Sequence, residues 1–232
     1  MWITWKHQDT DISSPPSFEE KVEIFYHRAL GWQLHIADLI ANGGHVFGES
    51  RSVQKIPHSG FAVLQICLSY FETIGQYEQR NPGTKRSSGY FKEGVQSVLP
   101  ELHVNHGNAV DDFLTRLYKG ARCGLYHNSM TVPGVGLGQP VGEEPIAYNS
   151  KSRVLAISSE RLPKALKTHL EEFRTKLLDS HNVGLRRNFE RRFDKDNGIT
   201  GPSNAAIQPA ARSAAKPLRV PSARKKRPPR RD

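Results

Sequence analysis

The chain has 232 residues, of which 37% are hydrophobic, and a formal net charge of +10 at pH 7. Residues 199–232 hold nine Lys or Arg and one acid, so they carry +8 of this charge and residues 1–198 carry +2. Two cysteines, Cys67 and Cys123, exclude a disulfide framework or a thiolate zinc site. The N-terminus lacks the order of a signal peptide, and no run of about eighteen apolar residues could span a membrane. We therefore expect a soluble cytoplasmic protein without membrane partners.

Apolar periodicity indicates helices in the first half of the chain. They are predicted over residues 17–42, about 58–79, about 90–99 and about 108–126. Ser17 and Glu20 have the spacing of a capping box at the start of the first helix. Gly43 and Gly44 end that helix, and Pro100 ends the third. The sequence therefore predicts an all-α fold in this half.

The composition changes after the fourth helix. Residues 132–142 are too rich in Gly and Pro for a helix. Residues 146–148 and 153–157 are predicted to be the strands of a hairpin, within a β insertion at about 131–157. A final helix is predicted over about 159–183, where apolar residues recur at steps of three and four. One helical domain over residues 1–198 is the expected result.

The basic segment 199–232 has almost no aromatic residues and is dominated by Pro, Ala, Ser and cations. Such a composition predicts disorder, because too little apolar surface can be buried. Its cationic end is predicted to attract nucleic-acid phosphates without sequence preference, through Arg224, Lys225, Lys226, Arg227, Arg230 and Arg231. A nuclear-import signal in a nucleated cell, or a merely solubilising tail, would have the same composition.

The last part of the predicted fourth helix contains Arg122, which is followed after four residues by His127 and then Asn128. The guanidinium is a permanently charged fork suited to phosphate, and an imidazole transfers protons near neutral pH. Residues five apart on an α-helix are separated by about 140°, a gap that a long Arg side chain can close. The bare spacing also occurs elsewhere, at Arg28/His35, Arg51/His58 and Arg174/His181.

The context of this pair is more specific than its spacing. The run Phe-Leu-x-Arg-Leu-Tyr-Lys-Gly-Ala-Arg, continued as Gly-Leu-Tyr-His-Asn, resembles the motif region of HEPN domains, and the resemblance covers about residues 17–130. It implies a four-helix up-down bundle that forms a homodimer with paired Arg and His residues in a cleft. It further implies cleavage of RNA without a metal or cofactor, by attack of the 2′-hydroxyl. Arg122 would hold the phosphate and His127 would transfer the proton.

Two further residues are candidates for supporting roles. Asn128 is suited to orient the imidazole or the substrate, and Glu72 on the second helix to hold Arg122 in place, as an acidic residue does in some relatives. A solvent-facing Glu72 on an amphipathic helix is the simpler alternative. No metal site is predicted, because no acid or cysteine cluster completes a ligand set with His103 and His106.

Cys123 departs from the family pattern, since many active members have Asn, Asp or His directly after the Arg. A thiol is a weak hydrogen-bonding group. Three functions therefore remain open. The first is an endoribonuclease that acts as a toxin or antiviral effector, with an antitoxin-like protein partner. The others are a non-catalytic HEPN-like module that binds RNA or a partner, and a helical scaffold with a nucleic-acid-binding tail.

Overall fold

A computed structural model describes residues 3–79, 86–101, 109–140 and 142–199. These residues belong to one compact unit, Met1–Ile199, and are mostly helical with small sheets. The predicted cationic site at residues 224–231 lies outside the described residues, as do His103 and His106. None of the helices in the described ranges combines the length and apolar character that a membrane span requires.

Most of the fold consists of helices. In chain order they are α1 (Phe18–Ala29), α2 (His35–Asn42), α3 (Gly60–Glu78), α4 (Ser87–Val98), α5 (Val110–Arg116), α6 (Gly124–Asn128), α7 (Leu162–Leu178) and α8 (Val183–Asn197). A π-helical segment, Leu30–Leu34, joins α1 to α2, and a second, Leu117–Cys123, joins α5 to α6. Hydrogen bonds in a π-helix span five residues, so each segment widens the helix locally. The first and fourth predicted helices each contain such a segment.

Local sequence signals set several helix ends. Ser17 Oγ accepts a hydrogen bond from the Glu20 amide at 3.2 Å, and Glu20 Oε2 accepts one from the Ser17 amide at 2.7 Å. The predicted capping box is thus confirmed, and it satisfies two amides that have no partner within the helix. Gly43 ends α2 with φ at +73°, a conformation that glycine adopts without steric cost.

Two small sheets accompany the helices. Strands β1 (Gly44–His45) and β2 (Ser52–Val53) form an antiparallel pair. The second sheet has the order β3-β5-β4, with β3 at Val135–Leu137, β4 at Ile146–Asn149 and β5 at Val154–Ile157. Strands β4 and β5 are antiparallel, as the predicted hairpin requires. Strand β3 pairs in parallel with β5 and was not predicted, because it is only three residues long and lies among glycines and prolines.

The prediction of a final helix over 159–183 is wrong at its C-terminal end. Helix α7 ends at Leu178, and α8 begins at Val183 after a short turn. Helix α8 buries Phe189 and Phe193, which are 0% and 2% exposed. These two aromatic residues lie four positions apart on an otherwise charged helix, so its apolar stripe is too narrow for a periodicity argument to detect.

Helix α3 crosses α4 at unusually close range. A Cβ atom on Gly94 would overlap the carbonyl oxygen of Phe71, and one on Gly75 would overlap that of Tyr90. Helices α7 and α8 also contact α3. Tyr70 of α3 hydrogen-bonds His169 of α7 at 2.9 Å in the interior. Helices beyond residue 130 therefore help to close the core around α3.

Candidate functional site

Arg122 lies in the second π-helical segment and faces α3. Its Nη2 donates a hydrogen bond to Glu72 Oε2 at 3.0 Å. The Arg122 and Glu72 side chains are 25% and 18% exposed, so water screens the pair only in part. This contact joins the arginine of the motif to the acidic residue of the second predicted helix. Glu72 therefore faces the arginine rather than open solvent.

Two tyrosine rings complete the surroundings of the guanidinium. Arg122 Cζ lies 6.0 Å from the ring centroid of Tyr118 and 5.2 Å from that of Tyr126. A cation within about 6 Å of an aromatic face is attracted by the ring quadrupole. Tyr126 is 65% exposed, so its ring also offers a surface to a ligand. One carboxylate and two rings thus hold a guanidinium that has five N–H donors in all.

A groove of about 210 Å³ adjoins this arginine. Its lining comes from α3 and from the end of the motif helix, the continuous run of α5, the second π-helical segment and α6. It comprises Gln65, Leu68, Ser69, Arg122, Leu125 and Tyr126. The volume is below the 300–1,000 Å³ typical of pockets that enclose whole drug-sized ligands. The groove therefore suits a single group of a larger ligand, next to one cation and one exposed ring.

His127 and Asn128 lie at the edge of this arrangement. Both residues are exposed, and the His127 ring meets the Tyr126 ring edge-on, with centroids 5.1 Å apart. His127 does not line the groove, and within the described ranges its ring makes no hydrogen bond to Arg122. The structure thus brings Arg122, Glu72 and Tyr126 together. His127 contacts the Tyr126 ring of this cluster, and Asn128 does not line the groove.

Glycines position the end of the motif helix. A Cβ on Gly124 would lie 2.7 Å from the Met130 carbonyl oxygen, and one on Gly120 would lie 2.7 Å from Val135 Cγ2. The chain therefore reverses after Asn128 and packs directly on the helix that carries Arg122. Ser129, at φ +59°, makes the reversal. Cys123 is partly exposed between these glycines.

The tyrosines are the site residues that sequence reasoning missed. Tyr118, Arg122 and Tyr126 follow one another at steps of four, which places a cation between two rings on one side of a helix. Gln65 and Ser69 on α3 have the same spacing and are exposed. The four-residue steps were therefore a usable signal. By contrast, the pairing of α3 with this helix depends on tertiary structure.

Among the described residues, no group of three or more His, Cys, Asp or Glu side chains is arranged to hold a metal ion. No protein-family model, curated protein or solved structure matches the chain. The interpretation of the site consequently depends on its own residues and geometry.

Proposed function

We propose that the chain is a HEPN-like endoribonuclease that cuts RNA at the Arg122 groove, by attack of the 2′-hydroxyl on the adjacent phosphate. One observation carries the proposal: Arg122 is held by Glu72 and by two tyrosine rings at the mouth of a groove sized for one ligand group. A guanidinium fixed in this way is suited to bind a phosphodiester. The exposed Tyr126 ring gives a neighbouring base a stacking surface.

In the proposed reaction the 2′-oxygen forms a bond to phosphorus, and the bond from phosphorus to the 5′-oxygen breaks. His127 accepts the proton of the attacking hydroxyl and later releases it to solvent, and the departing 5′-oxygen takes up a proton from water. Arg122 stabilises the charge that develops on the phosphate oxygens. The products are a 2′,3′-cyclic phosphate and a 5′-hydroxyl end. None of these steps requires a metal ion.

A homodimer is part of the same proposal. Tyr126 and Met130 are 65% and 58% exposed, so large apolar side chains lie at the surface at the end of the helix that carries Arg122 and just after it. A second protomer placed there would cover these side chains and bring its own His127 towards the groove. Exposed apolar surface next to a polar site is common at interaction surfaces.

An RNA-binding module without catalysis is the second candidate. The position of His127 outside the groove favours it, because a general base must come within hydrogen-bonding reach of its proton. Cys123 at the position after the arginine favours it as well. In this alternative Arg122 and Tyr126 bind phosphate and base, and no bond is broken.

End-labelled RNA in excess chelator separates the two candidates. The proteins to compare are wild type, Arg122→Ala, His127→Ala and His181→Ala, the last being a matched control because the His181 side chain is 93% exposed on the turn between α7 and α8. We expect wild type and His181→Ala to cleave and to leave cyclic phosphate ends, and the other two variants to be inactive. If all four proteins leave RNA intact and only Arg122→Ala binds it more weakly, the binding module is correct.

A further inference from the structure

A second basic pocket lies on another side of the helix that carries Arg122. It has a volume of about 190 Å³ and is formed where α5 and the following π-helical segment meet the turns before β3 and β5. Three cations line it, Arg116, Lys119 and Arg153, together with one acid, Asp112. The lining residues therefore contribute a net charge of +2 at neutral pH. Neither Arg122 nor His127 belongs to this pocket.

Arg116 contributes a partly buried guanidinium to the lining of this pocket. Its Nε is buried and has no hydrogen-bond partner among the described residues. This nitrogen is inaccessible to solvent, so a ligand in the pocket meets the charge of the guanidinium rather than Nε itself. Gly134, at φ +82°, accommodates the rest of the guanidinium, since a Cβ there would lie 3.2 Å from Arg116 Nη1. The backbone thus leaves space for the arginine without neutralising it.

The acid in the pocket is already paired. Asp112 accepts a hydrogen bond from the Tyr148 hydroxyl and one from Arg153 Nη2, the latter at 2.7 Å. These hydrogen bonds, that from Tyr148 first, lower the pKa of Asp112 below its usual value, so the carboxylate is ionised at neutral pH and balances Arg153. Arg116 and Lys119 form no ion pair within the described ranges, and the charge of Arg116 is only a minor further cause of the lowered pKa of Asp112. They supply the excess positive charge.

A hydroxyl group adds a neutral donor. Thr115, which lines the pocket, accepts a hydrogen bond from Lys92 Nζ at 2.8 Å. A hydroxyl that accepts one hydrogen bond can still donate its own hydrogen. The pocket therefore offers donors from a guanidinium, an ammonium and a hydroxyl, with two uncompensated positive charges.

We propose that this pocket binds a phosphate group, as part of a polynucleotide backbone or of a small phosphorylated ligand. Planar guanidinium and point-like ammonium donors together match the tetrahedral oxygens and the charge of phosphate. The inference is independent of the proposed ribonuclease, because the two sites share no residue. If the groove at Arg122 also holds RNA, a strand could contact both sides of the same helix.

The test measures two probes on the full-length protein, inorganic phosphate by calorimetry and a short single-stranded RNA by fluorescence anisotropy. Arg116→Gln and Lys119→Gln remove charge inside the pocket. Arg187→Gln and Lys164→Gln are the matched controls, because both residues are exposed on other helices and lose the same charge. We expect each pocket variant to weaken binding by about tenfold, the effect of one charge-assisted hydrogen bond, and the controls to bind like wild type.

The two probes separate the sources of the phosphate. Loss of affinity for both probes assigns the pocket to the RNA backbone, and loss for inorganic phosphate alone assigns it to a small phosphorylated ligand. Equal behaviour of pocket and control variants with both probes would overturn the proposal, since the attraction would then come from overall charge. Circular dichroism of each variant shows whether it is folded. The RNA cleavage assay is run separately, so failure of this proposal leaves the ribonuclease proposal intact.

Discussion

The two π-helical segments, Leu30–Leu34 and Leu117–Cys123, widen their helices in the same way but have different surroundings. The first is covered by the N-terminal segment, because the Trp5 side chain lies directly against Gly31 and stacks on Phe47, with centroids 4.6 Å apart. The second presents Arg122 to a groove beside the exposed Tyr126 ring. The chain thus fills one segment with its own side chain and leaves the other accessible to a ligand.

This difference shows that a π-helical segment is not in itself a functional site. Such segments are frequent at functional sites because they interrupt the regular packing of a helix. In the first segment the interruption receives an aromatic side chain, which adds apolar contact area. In the second it places a guanidinium between a carboxylate and two rings. The side chains supplied by the rest of the fold therefore decide which role each segment has.

The largest effect is expected when the close crossing of α3 and α4 is disturbed, because α3 carries Glu72, the partner of Arg122 in the second π-helical segment. Gly94→Ala places a Cβ atom against the carbonyl oxygen of Phe71, the residue before Glu72. We expect the free energy of unfolding to fall by about 3 kcal/mol, because neither backbone can move aside without shifting α3 or α4. Urea denaturation measures the change. Gly184→Ala on α8 is the control, since nothing lies within 4 Å of its Cβ and it should stabilise by up to about 1 kcal/mol.

If Gly94→Ala and Gly184→Ala proved equally stable, the close crossing of α3 and α4 would be contradicted. The position of Glu72 against Arg122 would then need another explanation.

The second prediction concerns the first π-helical segment, Leu30–Leu34, which the Trp5 side chain covers. Trp5→Ala removes the side chain that covers Gly31, and we expect a loss of about 3 kcal/mol in the free energy of unfolding. Gly31→Ala in the wild type should also destabilise, because its Cβ atom would overlap the Trp5 ring. In the Trp5→Ala background the same Gly31→Ala change should instead stabilise by up to about 1 kcal/mol, as the overlap is gone. Additive losses would contradict the described packing.

The third prediction concerns His27, whose ring contacts the Trp5 ring that covers the first π-helical segment. Burial is the main cause that lowers the pKa of His27 to about 4, and the Trp5 ring meets it edge-on at 5.3 Å. Below about pH 6.5 the His27 imidazole becomes protonated in the unfolded chain, whereas in the folded chain it stays neutral until about pH 4. The contribution of His27 to the free energy of unfolding is therefore fully present above pH 6.5. It falls between pH 6.5 and pH 4, by up to about 1.4 kcal/mol per pH unit. Burial also lowers the pKa of His169 to about 4, so this residue adds a similar dependence of stability on pH.

Urea denaturation of His27→Phe at several pH values tests this linkage. The variant should have a smaller slope than wild type between pH 6.5 and pH 4 and should keep the part that comes from His169 and from His35, whose pKa is also lowered by burial. An unchanged slope in His27→Phe would show that this histidine is not buried in its neutral form.

The smallest effect on stability is expected at the Arg122–Glu72 ion pair of the second π-helical segment. Glu72→Gln keeps the shape of the side chain but removes its charge, and partly exposed ion pairs contribute up to about 1 kcal/mol. We expect a stability loss of this size, and a fall of about tenfold in kcat for RNA cleavage with little change in KM, because Arg122 is no longer oriented. Unchanged kcat would mean that Glu72 has no positioning role. Glu172→Gln, an exposed acid on α7, is the control.

Signals that act within one element could be predicted from sequence. The Ser17–Glu20 capping box, the end of α2 at Gly43 and the β4–β5 hairpin each depend on residues a few positions apart. Strand β3 could not be predicted, since its pairing with β5 joins residues about twenty positions apart in a glycine-rich run. The π-helical segments were equally hidden, because their apolar residues follow ordinary helical spacing.

In the candidate site, too, local patterns were visible in the sequence and contacts between distant residues were not. The spacing of Arg122 and His127 was visible in the sequence, and so were the four-residue steps that carry Tyr118 and Tyr126. That Glu72 faces Arg122 depends on how α3 crosses the motif helix, which no local pattern encodes. Whether the Arg122 side chain reaches across to His127 depends on its contact with Glu72, which holds the guanidinium against α3.

The most direct test of the central claim is an NMR titration of the full-length protein with a short 2′-O-methyl RNA, which lacks the attacking hydroxyl. The account predicts that the Arg122 Nε–H signal and the Tyr126 amide shift on binding, whereas the Trp5 indole and the Gly31 amide do not. Shifts at Trp5 and Gly31 without change at Arg122 and Tyr126 would contradict it. So would binding that leaves both segments unchanged.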